Sequence, residues 1–403
     1  MSARRSFLLG LGTATAAFGG ITWARLPDPL RRPPTPRVSL TEARFIGLPN
    51  ERFLPELPDG LEAMRNEFMA ATMRHREGLG LPEGAPPPER NMLAISGGGS
   101  DGAFSAGLLC GWTEHGTRPL FHLVTGVSAG ALIAPFAFIG RARDAQLREL
   151  YTTLRPEDVL RRRGWLDAAF GDAIADNAPL AATIARHFDA GMLSDVARGH
   201  AEGRLLLIST VNLDAQLATV WNLGAIAGSG HPLALDLARR VLLASAAIPG
   251  VFPPTMFDIT HDGRPYQEMH VDGGAFAQSF LYPDSFGAQR RDRLRQGLPV
   301  PQVSVYVMRN AQHDVRGIEV PRRVLGVAQT AIVALIRASG HGDIARIHAN
   351  ALRDGMAFRL AYIGPDFDVQ TDTSFDPAYM RALFDYAYAK ARAGYPWADR
   401  PPF

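Results

Sequence analysis

The chain has 403 residues, of which 46% are hydrophobic and 20% charged, and its formal net charge is +2. This composition fits a folded globular protein with one large domain or two ordinary ones, and it excludes a mostly disordered chain. The near-neutral net charge implies no strong electrostatic attraction to nucleic acid, so we expect no nucleic-acid partner. The single cysteine, Cys110, cannot form an intrachain disulfide, and its apolar surroundings favour a packed side chain over a nucleophile.

Residues 1–24 have the features of an export signal. Arg4 and Arg5 precede a short apolar stretch that contains an Ala-x-Ala site. The Arg-Arg-Ser-Phe-Leu order resembles a twin-arginine signal, which predicts export to the periplasm or cell envelope. An ordinary N-terminal helix is one alternative. Retention as a membrane anchor is another, because the uncharged stretch up to Arg25 is close to the length of a membrane span.

Residues 25–90 are expected to form an arm that precedes the main domain. Residues 25–40 are rich in proline and arginine, which is typical of a linker. Residues 60–78 have the apolar spacing of a helix, and a second proline-rich break follows them. We therefore expect the main domain to span residues 91–403.

From Asn91 onward, short apolar strands alternate with helices. Strands are predicted at 91–96, 121–126, 204–213, 217–223, 269–274, 302–310 and 357–364. Helices are predicted at 102–115, 128–140, 233–247, 322–353 and 376–393, and the helical, arginine-rich stretch 141–203 is an insertion or a cap. This alternation predicts an α/β fold, a three-layer α/β/α sandwich with a mostly parallel central sheet.

A dense glycine cluster, Gly97-Gly98-Gly99-Ser100-Asp101-Gly102, lies between the first of these strands and the helix that follows it. Glycine loses more conformational entropy on folding than other residues. So dense a cluster is therefore unfavourable unless another group must approach the backbone closely. The spacing matches the dinucleotide fingerprint, but no carboxylate ends the second strand to bind a ribose. A phosphate-binding P-loop is also excluded, because no Gly-Lys-Ser or Gly-Lys-Thr follows.

The second strand ends in Gly126-Val127-Ser128-Ala129-Gly130, which has the Gly-x-Ser-x-Gly pattern of a nucleophile elbow. The serine of such an elbow sits on a tight, strained turn, so Gly126 and Gly130 are needed where bulkier side chains would collide. Its hydroxyl stands at a helix N-terminus, whose dipole favours developing negative charge. The pattern therefore predicts that Ser128 is a nucleophile.

Acyl transfer to a serine also needs backbone N–H groups that bind the oxyanion. One β-α-β unit joins the glycine cluster to the elbow, which places both loops at the same edge of the sheet. We therefore predict an oxyanion hole formed by Gly98 and Gly99, with a contribution from the Ala129 amide. Gly97 and Gly102 shape the turn.

A serine nucleophile requires a base. Asp272 ends a predicted strand and precedes two glycines, and burial there would raise the pKa of its carboxyl enough for it to accept a proton. An ordinary Asp-Gly turn is the alternative interpretation. Histidine is the more familiar base, and the candidates are His270, on the same strand face as Asp272, and the late His313, His341 and His348, expected on the surface or on helices.

Together, these motifs resemble those of the patatin-like phospholipases. The glycine cluster resembles the oxyanion loop of that family, Gly126–Gly130 its nucleophile elbow, and Asp272-Gly273-Gly274 its catalytic aspartate motif. The segments "ASAAIPGVFPP" and "GRLLLISTVNLDAQLATVWN" are similar to two further segments of the family. The resemblance covers roughly residues 91–280.

The resemblance implies hydrolysis of lipid acyl esters by a serine–aspartate dyad. Ser128 would form the acyl-enzyme, and Asp272 would take its proton and then activate water. The implied partner is a lipid or phospholipid, with association at a membrane surface. We expect no cofactor and no metal, since the chain has one cysteine and no His-Glu-x-x-His motif.

Two other functions stay open at this point. One is a Ser-His-Asp esterase of the α/β-hydrolase type that uses a late histidine. The other is a non-catalytic lipid-binding protein of the cell envelope. Many members of the family carry a basic residue in the glycine loop, where this chain has Ser100-Asp101, so the preference for a lipid headgroup also stays open.

Overall fold

The computed structural model describes residues 32–164, 172–312, 320 and 322–402. The predicted export signal at residues 1–24 lies outside the described residues, as does His313. Within the described residues, every helix is too short or too polar to cross a membrane.

The described helices and strands follow the predicted alternation. The helices are α1 (Pro58–Gly78), α2 (Gly102–His115), α3 (Ala129–Ile139), α4 (Asp144–Thr153), α5 (Ala178–His187), α6 (Ala190–Ala201), α7 (Leu223–Gly228), α8 (Ala234–Ser245), α9 (Gly287–Arg295), α10 (Val324–Arg353) and α11 (Pro377–Arg392). The strands are β1 (Arg52–Phe53), β2 (Arg90–Ile95), β3 (Leu123–Gly126), β4 (Arg161–Arg162), β5 (Ala175–Asp176), β6 (Leu205–Asn212), β7 (Leu217–Asn222), β8 (Thr255–His261), β9 (Arg264–Asp272), β10 (Val303–Gln312) and β11 (Ala357–Ile363).

A nine-stranded sheet forms the centre, and its main path runs β1-β7-β6-β3-β2-β10-β11. The five strands from β6 to β11 along this path pair in parallel. The pairs that involve β1, β7, β8 or β9 are antiparallel. The prediction of an α/β fold with a mostly parallel central sheet is therefore confirmed.

Alternating apolar side chains on the central strands face two separate cores, which makes the fold three-layered. On β2, Leu93 and Ile95 belong to the core that contains α2, α3, α8 and α11. Ala94, between them, belongs to the core that contains α1 and the C-terminal half of α10. Because successive side chains of a strand point to opposite faces, a strand buried on both sides has no polar face.

One edge of β6 is shared by two strands, and this sharing positions the site. The first half of β6 pairs with β3 as far as Gly126 opposite Ile208. Its second half pairs with β9, which ends with Asp272 opposite Thr210. Because β3 is parallel and β9 antiparallel to β6, the C-terminal ends of β3 and β9 point at each other along this edge.

The β8–β9 hairpin departs most from the predicted elements. The strand predicted at 269–274 is β9, which begins at Arg264 and pairs with the unpredicted strand β8. The hairpin turn has Asp262 at φ 48° and Gly263 at φ 70°. Two successive residues with positive φ are typical of a tight hairpin turn, and Asp-Gly is a sequence that favours it.

Candidate active site

Ser128 lies between β3 and α3 in a strained conformation, with φ 55° and ψ −126°. A residue other than glycine in this region stores on the order of 1–3 kcal/mol of strain, which the surrounding structure must hold. The Ser128 N–H donates to Ser245 Oγ at 3.1 Å, and the Ser245 hydroxyl donates to the Ser209 carbonyl oxygen at 2.7 Å. These bonds tie the turn to α8 and β6. Ser245 lies in the segment "ASAAIPGVFPP", so the sequence carried a signal for it.

The two glycines of the elbow lie where any side chain would collide with backbone. A Cβ atom on Gly126 would lie 2.6 Å from the Gly130 carbonyl oxygen. A Cβ atom on Gly130 would lie 2.3 Å from the Ile95 carbonyl oxygen at the end of β2. The crowding that the sequence pattern predicts is therefore present between β2, β3 and α3.

Asp272 is buried beside Ser128, with only 2% of the residue exposed. Its carboxyl interacts with the Ser128 hydroxyl, and Oδ1 accepts the Gly274 N–H at 2.7 Å. Burial raises the pKa of Asp272 to about 7, although the interactions with Ser128 and Gly274 act in the opposite direction. A carboxyl with this pKa can both accept and release a proton near neutral pH.

Backbone hydrogen bonds hold both ends of the glycine loop. The Gly97 N–H donates to the Gln278 carbonyl oxygen at 3.2 Å. The Gly102 N–H turns back to the carbonyl oxygens of Gly99 and Ser100. Both amides are occupied, so Gly97 and Gly102 can shape the turn but have no N–H group left for a ligand.

Three other backbone amides face the space around Ser128. In the part of the chain that the structure describes, the N–H groups of Gly98, Gly99 and Ala129 have no protein acceptor. All three residues line the same cavity as Ser128. Ala129 also begins α3, whose N-terminal end carries partial positive charge. The arrangement can stabilise a negatively charged oxygen next to the serine.

Asn310, near the C-terminal end of β10, packs directly against the glycine loop. A Cβ atom on Gly98 would lie 1.9 Å from the Asn310 carbonyl oxygen, so only glycine fits there. The Asn310 side-chain amide donates to the Ser96 carbonyl oxygen at 2.9 Å, and Asn310 Oδ1 accepts the Ser105 hydroxyl at 2.6 Å. Sequence reasoning missed this residue, although a polar side chain that ends the apolar strand "VSVYVMRN" was a usable signal.

His270, the reserve candidate for the base, belongs to a different network. Its Nε2 lies 3.1 Å from Glu268 Oε2, and its Nδ1 lies 2.9 Å from Thr210 Oγ1. Glu268 in turn accepts two hydrogen bonds from the Arg52 guanidinium, at 2.5 and 3.1 Å. Burial lowers the pKa of His270, although Glu268 opposes this effect. Because both ring nitrogens have partners, His270 does not reach Ser128.

The two described late histidines lie on α10, as expected for helix residues. His341 Nε2 lies 3.0 Å from Arg309 Nη2. The His348 ring packs against Phe358, with ring centroids 4.8 Å apart. Cys110 is buried in the core, and burial raises the pKa of its thiol to about 12, which fits the prediction of a packed side chain.

Ser128 and Asp272 open into a cavity of about 690 Å³. One wall is apolar and consists of Leu132, Leu154, Val159, Leu160, Leu180, Ile248, Val251 and Phe252. Another part of the lining, the polar wall, consists of polar residues from the C-terminal part of the chain, namely Arg309, Gln312, Arg337, Thr371, Asp372 and Thr373. Within the described residues, no group of three or more His, Cys, Asp or Glu side chains is placed to hold a metal ion.

Comparisons with known proteins match the region that contains this site. A family model described as "Patatin-like phospholipase" matches residues 93–281. Among solved structures, the crystal structure of VipD from Legionella pneumophila matches with a TM-score of 0.32 and 11% identity. That match covers 76% of this chain and 67% of that chain. The search of curated proteins found no match.

Proposed function

We propose that this chain, whose residues 93–281 match the family model of the patatin-like phospholipases, is a serine hydrolase of lipid carboxylic esters. In this proposal Ser128 is the nucleophile and Asp272 is the general base. The oxyanion hole consists of the Gly98, Gly99 and Ala129 amides. The observation that carries the proposal is the position of the Ser128 hydroxyl beside a buried carboxyl whose pKa is raised to about 7.

In the acylation step, Asp272 takes the proton of Ser128 as Oγ bonds to the ester carbonyl carbon. The carbonyl oxygen becomes negative and faces the three backbone amides, each of which contributes about 3 kcal/mol in comparable sites. When the intermediate collapses, the C–O bond to the alcohol breaks, and Asp272 returns the proton to the departing alkoxide. The product is a free alcohol, such as a lysolipid, and an acyl-enzyme on Ser128.

In the deacylation step, Asp272 takes a proton from water as the water oxygen bonds to the acyl carbon. The collapse of the second intermediate breaks the bond to Ser128, and Asp272 returns the proton to Oγ. A fatty acid leaves, and the enzyme is restored. The raised pKa of Asp272 suits both roles, because a base works best when its pKa lies near the working pH.

The cavity favours a lipid acyl chain over a small polar ester. Its apolar wall is formed by residues of α3 and α5 and of the segments after α4 and α8, which line the same cavity as Ser128. Burial of an acyl chain against such a wall contributes about 0.8 kcal/mol for each methylene group. The proposed arrangement places the acyl chain on this wall and the alcohol part of the ester toward the polar wall.

The alternative of a Ser-His-Asp esterase has less support. Both nitrogens of His270 have partners in the Arg52 network, and the described bonds of His341 and His348 do not involve Ser128. The alternative of a non-catalytic lipid-binding protein also has less support. Backbone strain like that of Ser128 tends to persist where function needs it.

Export of the protein and its association with a membrane surface remain part of the proposal. They depend on residues 1–24, which resemble a twin-arginine signal, and on the lipid substrates that the family implies. The domain organisation also remains a proposal, with an arm at residues 25–90 and the hydrolase domain at residues 91–403.

The test is the Ser128→Ala variant, assayed on p-nitrophenyl esters of several chain lengths and on phosphatidylcholine vesicles. We expect turnover to fall by about 10³-fold or more and labelling by a fluorophosphonate probe to disappear. The matched control is Ser374→Ala, since Ser374 lines the same cavity outside the proposed machinery. Retained turnover or labelling in Ser128→Ala would contradict the proposed function.

A further inference from the structure

The side chain of Gln278 occupies space next to both proposed catalytic residues. A Cβ atom on Gly97 would lie 2.5 Å from Gln278 Oε1 and 3.0 Å from Ser128 Cβ. A Cβ atom on Gly274 would lie 2.3 Å from Gln278 Nε2 and 3.0 Å from Asp272 Oδ1. The carboxamide therefore fits between Cα atoms that lack side chains, and Gln278 lines the cavity into which Ser128 opens.

The backbone of Gln278 is held from two sides, independently of its side chain. Its N–H donates to Asp343 Oδ2 on α10 at 2.6 Å. Its carbonyl oxygen accepts the Gly97 N–H at 3.2 Å. Asp343 is only 4% exposed and also accepts the Ser279 N–H at 3.3 Å. A substitution that changes only the side chain at position 278 leaves these contacts in place.

The mechanism proposed above assigns no residue to bind the water that hydrolyses the acyl-enzyme. Water must reach the acyl carbon on Ser128 with one of its protons directed at Asp272. A carboxamide suits this task, because it offers both N–H donors and an oxygen acceptor and does not titrate. Nε2 is the end of the Gln278 carboxamide that lies beside Gly274 and Asp272, so it can reach a water that is bound to Asp272.

We propose that the Gln278 carboxamide binds and orients the water that hydrolyses the acyl-enzyme. The inference rests on the proposed function. Nε2 donates a hydrogen bond to the water oxygen, and the water donates to Asp272. As the water oxygen bonds to the acyl carbon, its proton moves to Asp272, and the bond from carbon to Ser128 Oγ then breaks. Gln278 forms and breaks no covalent bond in this step.

The experiment separates the two half-reactions in the Gln278→Met variant, which keeps the side-chain length but removes the amide. Acylation is measured by stopped-flow release of p-nitrophenolate with enzyme in excess over p-nitrophenyl butyrate. Deacylation is measured as the decay of the acyl-enzyme, followed by intact-mass spectrometry after acid quench. We expect deacylation to slow by about 10- to 100-fold, while acylation changes by less than about twofold.

Two outcomes would overturn the inference: equal slowing of both half-reactions, or no slowing of deacylation. The matched control is Gln302→Met, an exposed glutamine outside the cavity lining, for which neither rate should change. If Gln278→Met does not fold, as judged by its thermal melt, Gln278→Asn serves instead. Its shorter side chain withdraws the amide and should slow deacylation selectively.

Failure of the inference is distinguishable from failure of the proposed function. An acyl-enzyme that still forms in Ser128→Ala would contradict the proposed function. An acyl-enzyme that requires Ser128 but decays at the wild-type rate in Gln278→Met would contradict only the inference about the water.

Discussion

Glu268 and Asp272 lie four residues apart on the same face of β9, and their surroundings give them opposite properties. Both are buried, with 0% and 2% of the residue exposed. Although burial opposes it, Arg52 together with His270 holds the pKa of Glu268 well below its ordinary value. Asp272 interacts only with uncharged groups, the Ser128 hydroxyl and the Gly274 N–H, and burial raises its pKa to about 7. Because both carboxyls are buried, burial alone does not explain the difference between their pKa values. The difference follows from the cation, Arg52, which lies beside Glu268 only.

The two carboxyls are suited to different tasks. The Arg52–Glu268 pair connects β1 to β9, so it helps to hold the strand that ends at Asp272. An ion pair of this kind is useful as a fixed structural link, because both of its charges are compensated. A carboxyl without a cation, held at a pKa near neutrality, can exchange protons with a substrate. The same strand thus carries one carboxyl in a structural ion pair and one that we propose to be reactive.

The largest effect is expected from a substitution that removes the proton acceptor, Asp272. Asp272→Asn keeps the size of the side chain but cannot accept a proton from Ser128. We expect kcat to fall by about 10³-fold or more, measured on p-nitrophenyl esters and on phosphatidylcholine vesicles. The control is Glu268→Gln, which should keep the catalytic step in the fraction that folds. Retained turnover in Asp272→Asn would indicate that another residue is the base.

The second largest effect is expected from a substitution that breaks the Arg52–Glu268 ion pair. Arg52→Met leaves Glu268 buried without its cation, which should lower the free energy of unfolding by about 3–5 kcal/mol. Urea denaturation followed by circular dichroism measures this loss. The double variant Arg52→Met/Glu268→Met removes both charges and should recover much of the stability. If the single variant is as stable as the wild type, the Arg52–Glu268 pair does not hold β9.

The smallest expected effect is the pH dependence of kcat/KM, which distinguishes a carboxyl base from a histidine base. In the proposed mechanism the ionised form of Asp272 is the base, so kcat/KM should rise with pH and reach half of its plateau near pH 7, with up to a tenfold change per pH unit below it. The profile is measured at several temperatures. The apparent pKa of a carboxyl base changes little with temperature, whereas that of a histidine base falls as temperature rises. A midpoint near pH 4, or one that falls on heating, would contradict the assignment.

The parallel part of the fold could be predicted from the sequence because its units are local. β2, the glycine loop and α2 follow one another directly, and so do β3, the elbow at Ser128 and α3. Each unit shows its own hydrophobic period and its own glycines, and the observed bounds differ from the predicted ones by two residues or fewer. The positions of Ser128 and the glycine loop at one sheet edge follow from this order alone.

The antiparallel part was harder to predict, because its contacts join distant segments. The hairpin of β8 and β9 had a usable signal in Asp262-Gly263, but nothing local shows that β9 also pairs with β6. The pairing of Arg52 with Glu268 cannot be derived from hydrophobic patterns, since it joins positions far apart in the chain. The place of Gln278 beside the site follows from the fold around Asp272 and α10, so the sequence alone could not assign it a role.

The meeting of two strand ends along β6 has a consequence for when the protein becomes active. The elbow belongs to a segment that the ribosome completes early, whereas the aspartate arrives on a hairpin made much later. Contacts between such distant segments form late in folding, after the entropy of a long loop has been lost. A nascent or truncated chain that ends before this hairpin would therefore carry Ser128 without the proposed base, so we expect hydrolytic activity to appear only once β9 has joined the sheet.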